Sequence, residues 1–200
     1  NESLKDKYDL IYTEDEKMLK EFSELRTEEQ KQYLLSHPEN IVHVHELFQK
    51  SVEFHGHACP GLAIGVRAAV EAQKLLGINH SDDEEIVCIT ENDACGVDGI
   101  QVILGCSAGK GNLIFRIRGK QAFSFFNRTT GNNTRLVLKN LPKMESREAK
   151  QNYILEAPME EVFEIKKPGY PLPEEARLFS SIDCEICGES TAEPYIRLED

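Results

Sequence analysis

The stretch GLAIGVRAAVEAQKLLG, residues 61–77, sets the terms for the chain. Ala63, Gly65, Ala68, Ala69 and Ala72 recur at helical spacing and form one face. A face built from side chains that small lets another element come up against the helix backbone. The ends are marked as well. Pro60 suits the first helical position, where its missing N–H is no loss, and Gly77 suits the left-handed residue that closes a helix. A helix of this kind has to be buried in a layered core. The 200 residues, 40% hydrophobic and 29% charged, are enough for one globular domain with a small appendage.

The residues just before this helix read FHGHACPG, 54–61. Cys59 precedes Pro60 and is therefore its N-cap, where free backbone N–H groups and the positive end of the helix dipole favour a thiolate. Gly56 lets the chain bend so that His57 and Cys59 face one point. Thiolate and neutral imidazole suit Zn²⁺, and Fe, Ni or Co are alternatives. A second use is catalytic, with Cys59 as nucleophile and His57 as its base. The plain alternative is two surface histidines beside a buried thiol.

A second constellation, ENDACGVDGIQVILGCSAGKGN, places Cys95 just before a short helix and Cys106 just after it. Such a helix spans about 13 Å, so the two thiols do not share one ion across it. Cys95, at a helix start like Cys59, can meet Cys59 where two helix starts converge. Asp93 and Asp98 are candidates to hold a ligand imidazole or to cap the helix. GCSAGKGN resembles a phosphate loop but fails its spacing: Gly111 stands where Ser or Thr should bind magnesium. Nucleoside triphosphate binding is rejected, and a glycine-rich anion nest stays open. Cys88, in the apolar run EIVCIT, reads as a small buried hydrophobe.

The third motif is CEICG, 184–188. Cys184 and Cys187 form half of a zinc site, with no further Cys or His after them. The remaining ligands would have to come from another chain, from the core or from beyond Asp200.

Along the chain, residues 13–36 are helical in pattern, TEEQ at 27–30 is a capping box, and SHPEN interrupts the pattern. A helix follows over 40–54. Strands are expected at 85–91, 112–119, 121–128 and 133–139, the last three as a meander, then a helix around 146–157. PGYPLPEEA, 168–176, reads as a linker. His37, His43, His45 and His80 are assigned no role.

Net charge is −12, which disfavours general nucleic-acid binding. Between Gly105 and Pro142, however, there is no acid, while Lys110, Arg116, Arg118, Lys120, Arg128, Arg135 and Lys139 are all basic. This is either a solvated strand face or a surface for an anion or an acidic neighbour. No membrane segment or secretory signal is visible, so a cytoplasmic location is the default expectation.

FHGHACPGLAIGVRAA, ENDACGVDGIQVILGCSAGKGNL and GKQAFSFFNRTTG together resemble the core domain of the FmdE family, the formylmethanofuran dehydrogenase E-subunit family, over roughly residues 40–165. The resemblance implies an α+β core, helices packed on an antiparallel or mixed sheet, and a homodimer. It implies a Cys/His site at His55, His57, Cys59, Cys95 and Cys106. The C-terminal segment is similar to the first half of a treble-clef zinc finger. The expected layout is an N-terminal helical extension (1–39), core (40–166), linker (167–176) and zinc-knuckle appendage (177–200). The expected function is metal binding linked to C1 or redox metabolism. The rivals are an accessory protein whose knuckle docks a protein or nucleic-acid partner, and a thiol enzyme using Cys59.

Overall fold

The computed structural model of the protein describes residues 38–197. The helical pattern at 13–36 and its capping box lie outside the described residues. The first element, α1 (Pro38–His55), starts with proline at its first position, so the interruption at SHPEN is also a helix start. It is followed by α2 (Pro60–Leu76), β1 (Ile86–Thr90), α3 (Gly96–Leu104), β2 (Leu113–Phe115), β3 (Ala122–Asn127), β4 (Asn133–Leu138), α4 (Arg147–Glu156), the single turn α5 (Met159–Val162) and β5 (Phe163–Lys166). A hairpin of β6 (Ser181–Asp183) and β7 (Ser190–Ala192) forms a separate two-stranded sheet. No described helix is long and apolar enough to cross a membrane.

The five-stranded sheet has the order β2-β1-β3-β4-β5. It is mixed: β1 and β2 are parallel, and every other pairing is antiparallel. This corrects the expected three-strand meander. β2 lies beside β1, and α3 is the crossover that a parallel pair requires. The stretch after β2 does not turn back to pair with β3, because it bonds to the end of β1 instead. Arg116 N–H donates to the Thr90 carbonyl and Arg118 N–H to that of Glu91.

The helices cover one face of the sheet. Ile86 and Cys88 of β1, Phe123 and Phe125 of β3 and Leu136 of β4 join Leu62, Val66, Ile100 and Ile154 in the main core. Each large apolar side chain buried there is worth about 1.5–3 kcal/mol. Cys88 is fully buried, as expected for a small hydrophobe.

The opposite face carries a smaller cluster of Val87, Ile89 and Phe126, with Ile114 and Tyr170 packed on it. Tyr170 belongs to the proline-rich segment 168–176, which has no regular structure yet is tied to the core. Arg118 Nε donates to the Tyr170 hydroxyl at 2.7 Å, and Arg116 stacks over the ring. Arg128 donates to the carbonyls of Pro173 and Glu174, and Ala176 N–H donates to the Glu84 carboxylate. The basic stretch is therefore largely occupied within the chain rather than being only a solvated face. Arg135 grips the buried Glu91 carboxylate through two nitrogens, Lys110 caps the Ser81 carbonyl and Lys139 that of Glu160. His45, read as an ordinary helix residue, is buried, and its Nε2 lies 2.8 Å from Glu156.

Candidate metal centre

The glycine face does what its size permits. A Cβ on Gly65 would lie 1.7 Å from the Gly96 carbonyl oxygen, and one on Gly99 would lie 2.7 Å from the Val66 nitrogen. Helices α2 and α3 therefore cross backbone to backbone, and only glycine fits at the seam. The crossing sits near both N-termini. It brings Cys95, just before α3, against Gly61 in the first turn of α2 and toward Cys59.

Cys59 has extended backbone angles, and its Sγ accepts the Leu62 N–H at 3.3 Å, so it is the N-cap of α2 as expected. Cys95 behaves differently. Its backbone is helical and its side chain caps nothing. Burial, followed by the neighbouring Cys59 thiol, raises its pKa.

The histidines reach the same place from α1. His55 is its last residue. Gly56, at φ +89°, closes the helix by donating its N–H to the Val52 carbonyl and turns the chain back toward Cys59. His55 Nδ1–H donates to Asp98 Oδ2 at 2.6 Å, and its Nε2 lies 3.9 Å from Cys59 Sγ. The His57 ring stands 4.5 Å from that of His55. One donor atom from each of His55, His57 and Cys59 falls within 4.8 Å of the others, the one such group among the described residues.

The donor set fits a zinc-like ion. Bonds of about 2.0–2.3 Å in a tetrahedron put neighbouring donors about 3.5 Å apart, within a small side-chain adjustment of the distances here. Asp98 supplies the hydrogen bond that fixes the His55 tautomer and turns Nε2 inward. Gln101 Nε2 donates to the other Asp98 oxygen at 3.2 Å. Asp98, not Asp93, is thus the supporting acid. The signal in the sequence was its place in the first turn of α3, but nothing in the sequence singled it out from Asp93.

Not every expected ligand is gathered here. Cys106 follows the far end of α3, is fully buried, and its Sγ donates to the Ile86 carbonyl at 3.7 Å. Burial pushes its thiol up to about 12. It is a core residue beside Cys88, and the length of α3 is the reason it cannot join Cys95. The imidazole within hydrogen-bond reach of Cys59 is that of His55, so a thiol mechanism would draw on His55 before His57. Cys184 and Cys187 lie in the C-terminal hairpin, outside the core group. There the turn is formed as a knuckle: Gly188, at φ +72°, donates its N–H to the Cys184 carbonyl. Backbone N–H groups of Cys187 and Ile186 lower the Cys184 pKa. Cys187 Sγ donates to Glu189 Oε2 at 3.5 Å, but among the described residues no group of three donors gathers around the pair.

Comparison with known proteins agrees with the fold and the motifs. The family model described as "FmdE, Molybdenum formylmethanofuran dehydrogenase operon" matches residues 54–168. A protein of Archaeoglobus fulgidus named as a probable S-adenosyl-L-methionine-binding protein is 31% identical over 72% of this chain. The chain spans 48% of that relative's length. The crystal structure of an FmdE-like protein of the tungsten formylmethanofuran dehydrogenase type, from Syntrophus aciditrophicus, superposes with a TM-score of 0.57 at 24% identity, over 76% of this chain and 86% of that one. The match at 54–168 spans more than half of the chain and begins at FHGHACPG: this protein belongs to the FmdE family.

Proposed function

We propose that the chain binds one divalent transition-metal ion through His55, His57 and Cys59, with zinc the first choice and iron, nickel or cobalt as competitors. The site would serve C1 or redox chemistry in association with a formylmethanofuran dehydrogenase. The observation that carries this reading is the convergence of His55, His57 and Cys59, with His55 held from behind by Asp98. Three protein donors are the number found where a fourth position is kept for water or substrate. A bound ion would supply Lewis acidity, polarising a carbonyl or acidifying a water. Around it, Leu62 N–H donates to the Cys59 sulfur, and Asp98 orients His55. His57 is exposed and is the side from which a substrate would enter.

The same reading takes the protein as a cytoplasmic homodimer. It takes the Cys184/Cys187 knuckle as a second zinc half-site, completed from outside the described residues and used to dock a protein partner.

The test is metal content by elemental mass spectrometry on protein purified without added metal. The wild type is compared with His57→Ala/Cys59→Ser and with Cys184→Ser/Cys187→Ser. One equivalent should disappear from the first variant and remain in the second. A core variant that keeps its full metal sinks the proposal.

A second reading is S-adenosyl-L-methionine binding, favoured by the name of the Archaeoglobus fulgidus relative. Calorimetric titration of the wild type with S-adenosyl-L-methionine reads it directly.

A further inference from the structure

Two thiols meet at the mouth of the glycine seam, and the metal trio uses only one of them. A point 3.5 Å from Cys95 Sγ and 3.8 Å from Cys59 Sγ marks the space above Gly61 where the two sulfurs converge. Both are reduced in this structure. They are carried by the starts of two helices that cannot drift apart without opening a backbone-to-backbone contact. This differs from two cysteines on a loose loop, because both sulfurs face one point from elements that the seam fixes. Cys59 is buried, whereas Cys95 is partly open to solvent, so a reagent reaches Cys95 first.

We propose that Cys59 and Cys95 form a reversible disulfide that switches the metal site off. This rests on the reading of Cys59 as a metal ligand. The oxidant is a small-molecule disulfide. Cys95 gives up its proton, and its sulfur attacks one sulfur of the reagent, whose S–S bond breaks and releases one thiolate. Cys59, as the thiolate, then attacks the Cys95 sulfur of the mixed disulfide, and the second reagent thiolate leaves. The protein loses two electrons, the Cys95 proton and the metal ion, and the reagent leaves as one thiol and one thiolate, the latter taking its proton from water. A disulfide sulfur is not a thiolate ligand. His55 and His57 then remain as the only members of the trio, and the ion is released. Reduction of the bond restores the site.

The experiment uses the full chain with Cys184→Ser/Cys187→Ser, so that the hairpin thiols contribute neither a disulfide nor zinc. The protein is loaded with zinc and exposed to a graded series of oxidised-to-reduced glutathione ratios. Two quantities are read: Cys59–Cys95 cross-linked peptide by mass spectrometry under non-reducing conditions, and free zinc by a chromophoric chelator. The expected result is that cross-link and zinc release rise together, about one zinc per cross-link, and that both reverse with dithiothreitol. Cys95→Ser in the same background should bind zinc and hold it across the series.

Zinc bound and no cross-link at any ratio overturns the switch and leaves the metal reading intact. A cross-link in protein that never held zinc in the core overturns both. Release from Cys95→Ser at the wild-type ratio also overturns the switch. Should Cys95→Ser fail to fold, which circular dichroism would show, the paired readout on the protein that keeps Cys95 still decides.

Discussion

The molecule presents cysteine chemistry in two places that are built in opposite ways. The hairpin knuckle is local. Cys184 and Cys187 are three residues apart, Gly188 supplies the left-handed turn, and backbone N–H groups within the same turn face the sulfur. The core site is assembled from three helix ends. His55 ends α1, Cys59 starts α2, and Cys95 and Asp98 belong to the start of α3. The knuckle needs only its own few residues to form, while the core site needs α2 and α3 to touch at their glycines. The difference teaches that similar ligands can have very different structural dependence. The hairpin site should survive damage to the core, and the core site should be lost whenever the seam opens.

The strongest way to break the comparison is Gly65→Ala. The new methyl carbon would lie 1.7 Å from the Gly96 carbonyl oxygen, so the helices must separate. Overpacking of this kind costs about 3 kcal/mol, which in a domain of this size lowers Tm by about 6–12 °C. Thermal denaturation should show that loss, and core metal should fall with it while the hairpin thiols behave as in the wild type. A Gly65→Ala protein with wild-type Tm and core metal would mean that the seam does not hold the site.

Asp98→Asn sharpens the comparison without touching the seam. Losing the carboxylate behind a ligand histidine typically costs about 10–100-fold in metal affinity. Competition with a chromophoric chelator should show that loss at unchanged Tm. An unchanged affinity would remove Asp98 from the site.

The smallest effect is in thiol labelling. In native protein Cys184 should react with iodoacetamide first, since its thiol is lowered by the turn's N–H groups and is only partly buried. Its labelling should persist to lower pH than that of an ordinary thiol. Cys106 should react last, because burial holds it protonated until about 12. Peptide mapping over time reads the order, and equal rates at the two positions would show that the core opens as readily as the hairpin.

These contrasts explain what was legible beforehand. The helix from Pro60 to Leu76, its cap at Cys59, the stop at Gly77 and the knuckle at Cys184 depend on bonds made within a few residues. The sequence states such features directly. The small face of α2 also announced a close neighbour, though not that the neighbour would be α3 or that Gly96 and Gly99 would answer it. Cys106 was a ligand only by the family resemblance, and the nine-residue helix that separates it from Cys95 leaves it buried beside β1. β2 looked like part of a meander because its own residues say nothing about which strand it will join. The basic stretch looked solvent-facing because its partners, Glu84, Glu91 and the carbonyls of 173–174, lie far away in the chain.

By itself, then, the sequence determined the helix ends, the N-cap thiol, the knuckle turn and the small-residue face, because each follows from backbone hydrogen bonding and side-chain size over one or two turns. Only the tertiary structure decided that His55 would be held by Asp98, 43 residues away, that Cys95 would meet Cys59, and that Cys106 would not. Those choices depend on how closely two helices cross, and that distance is set by packing between residues remote in sequence.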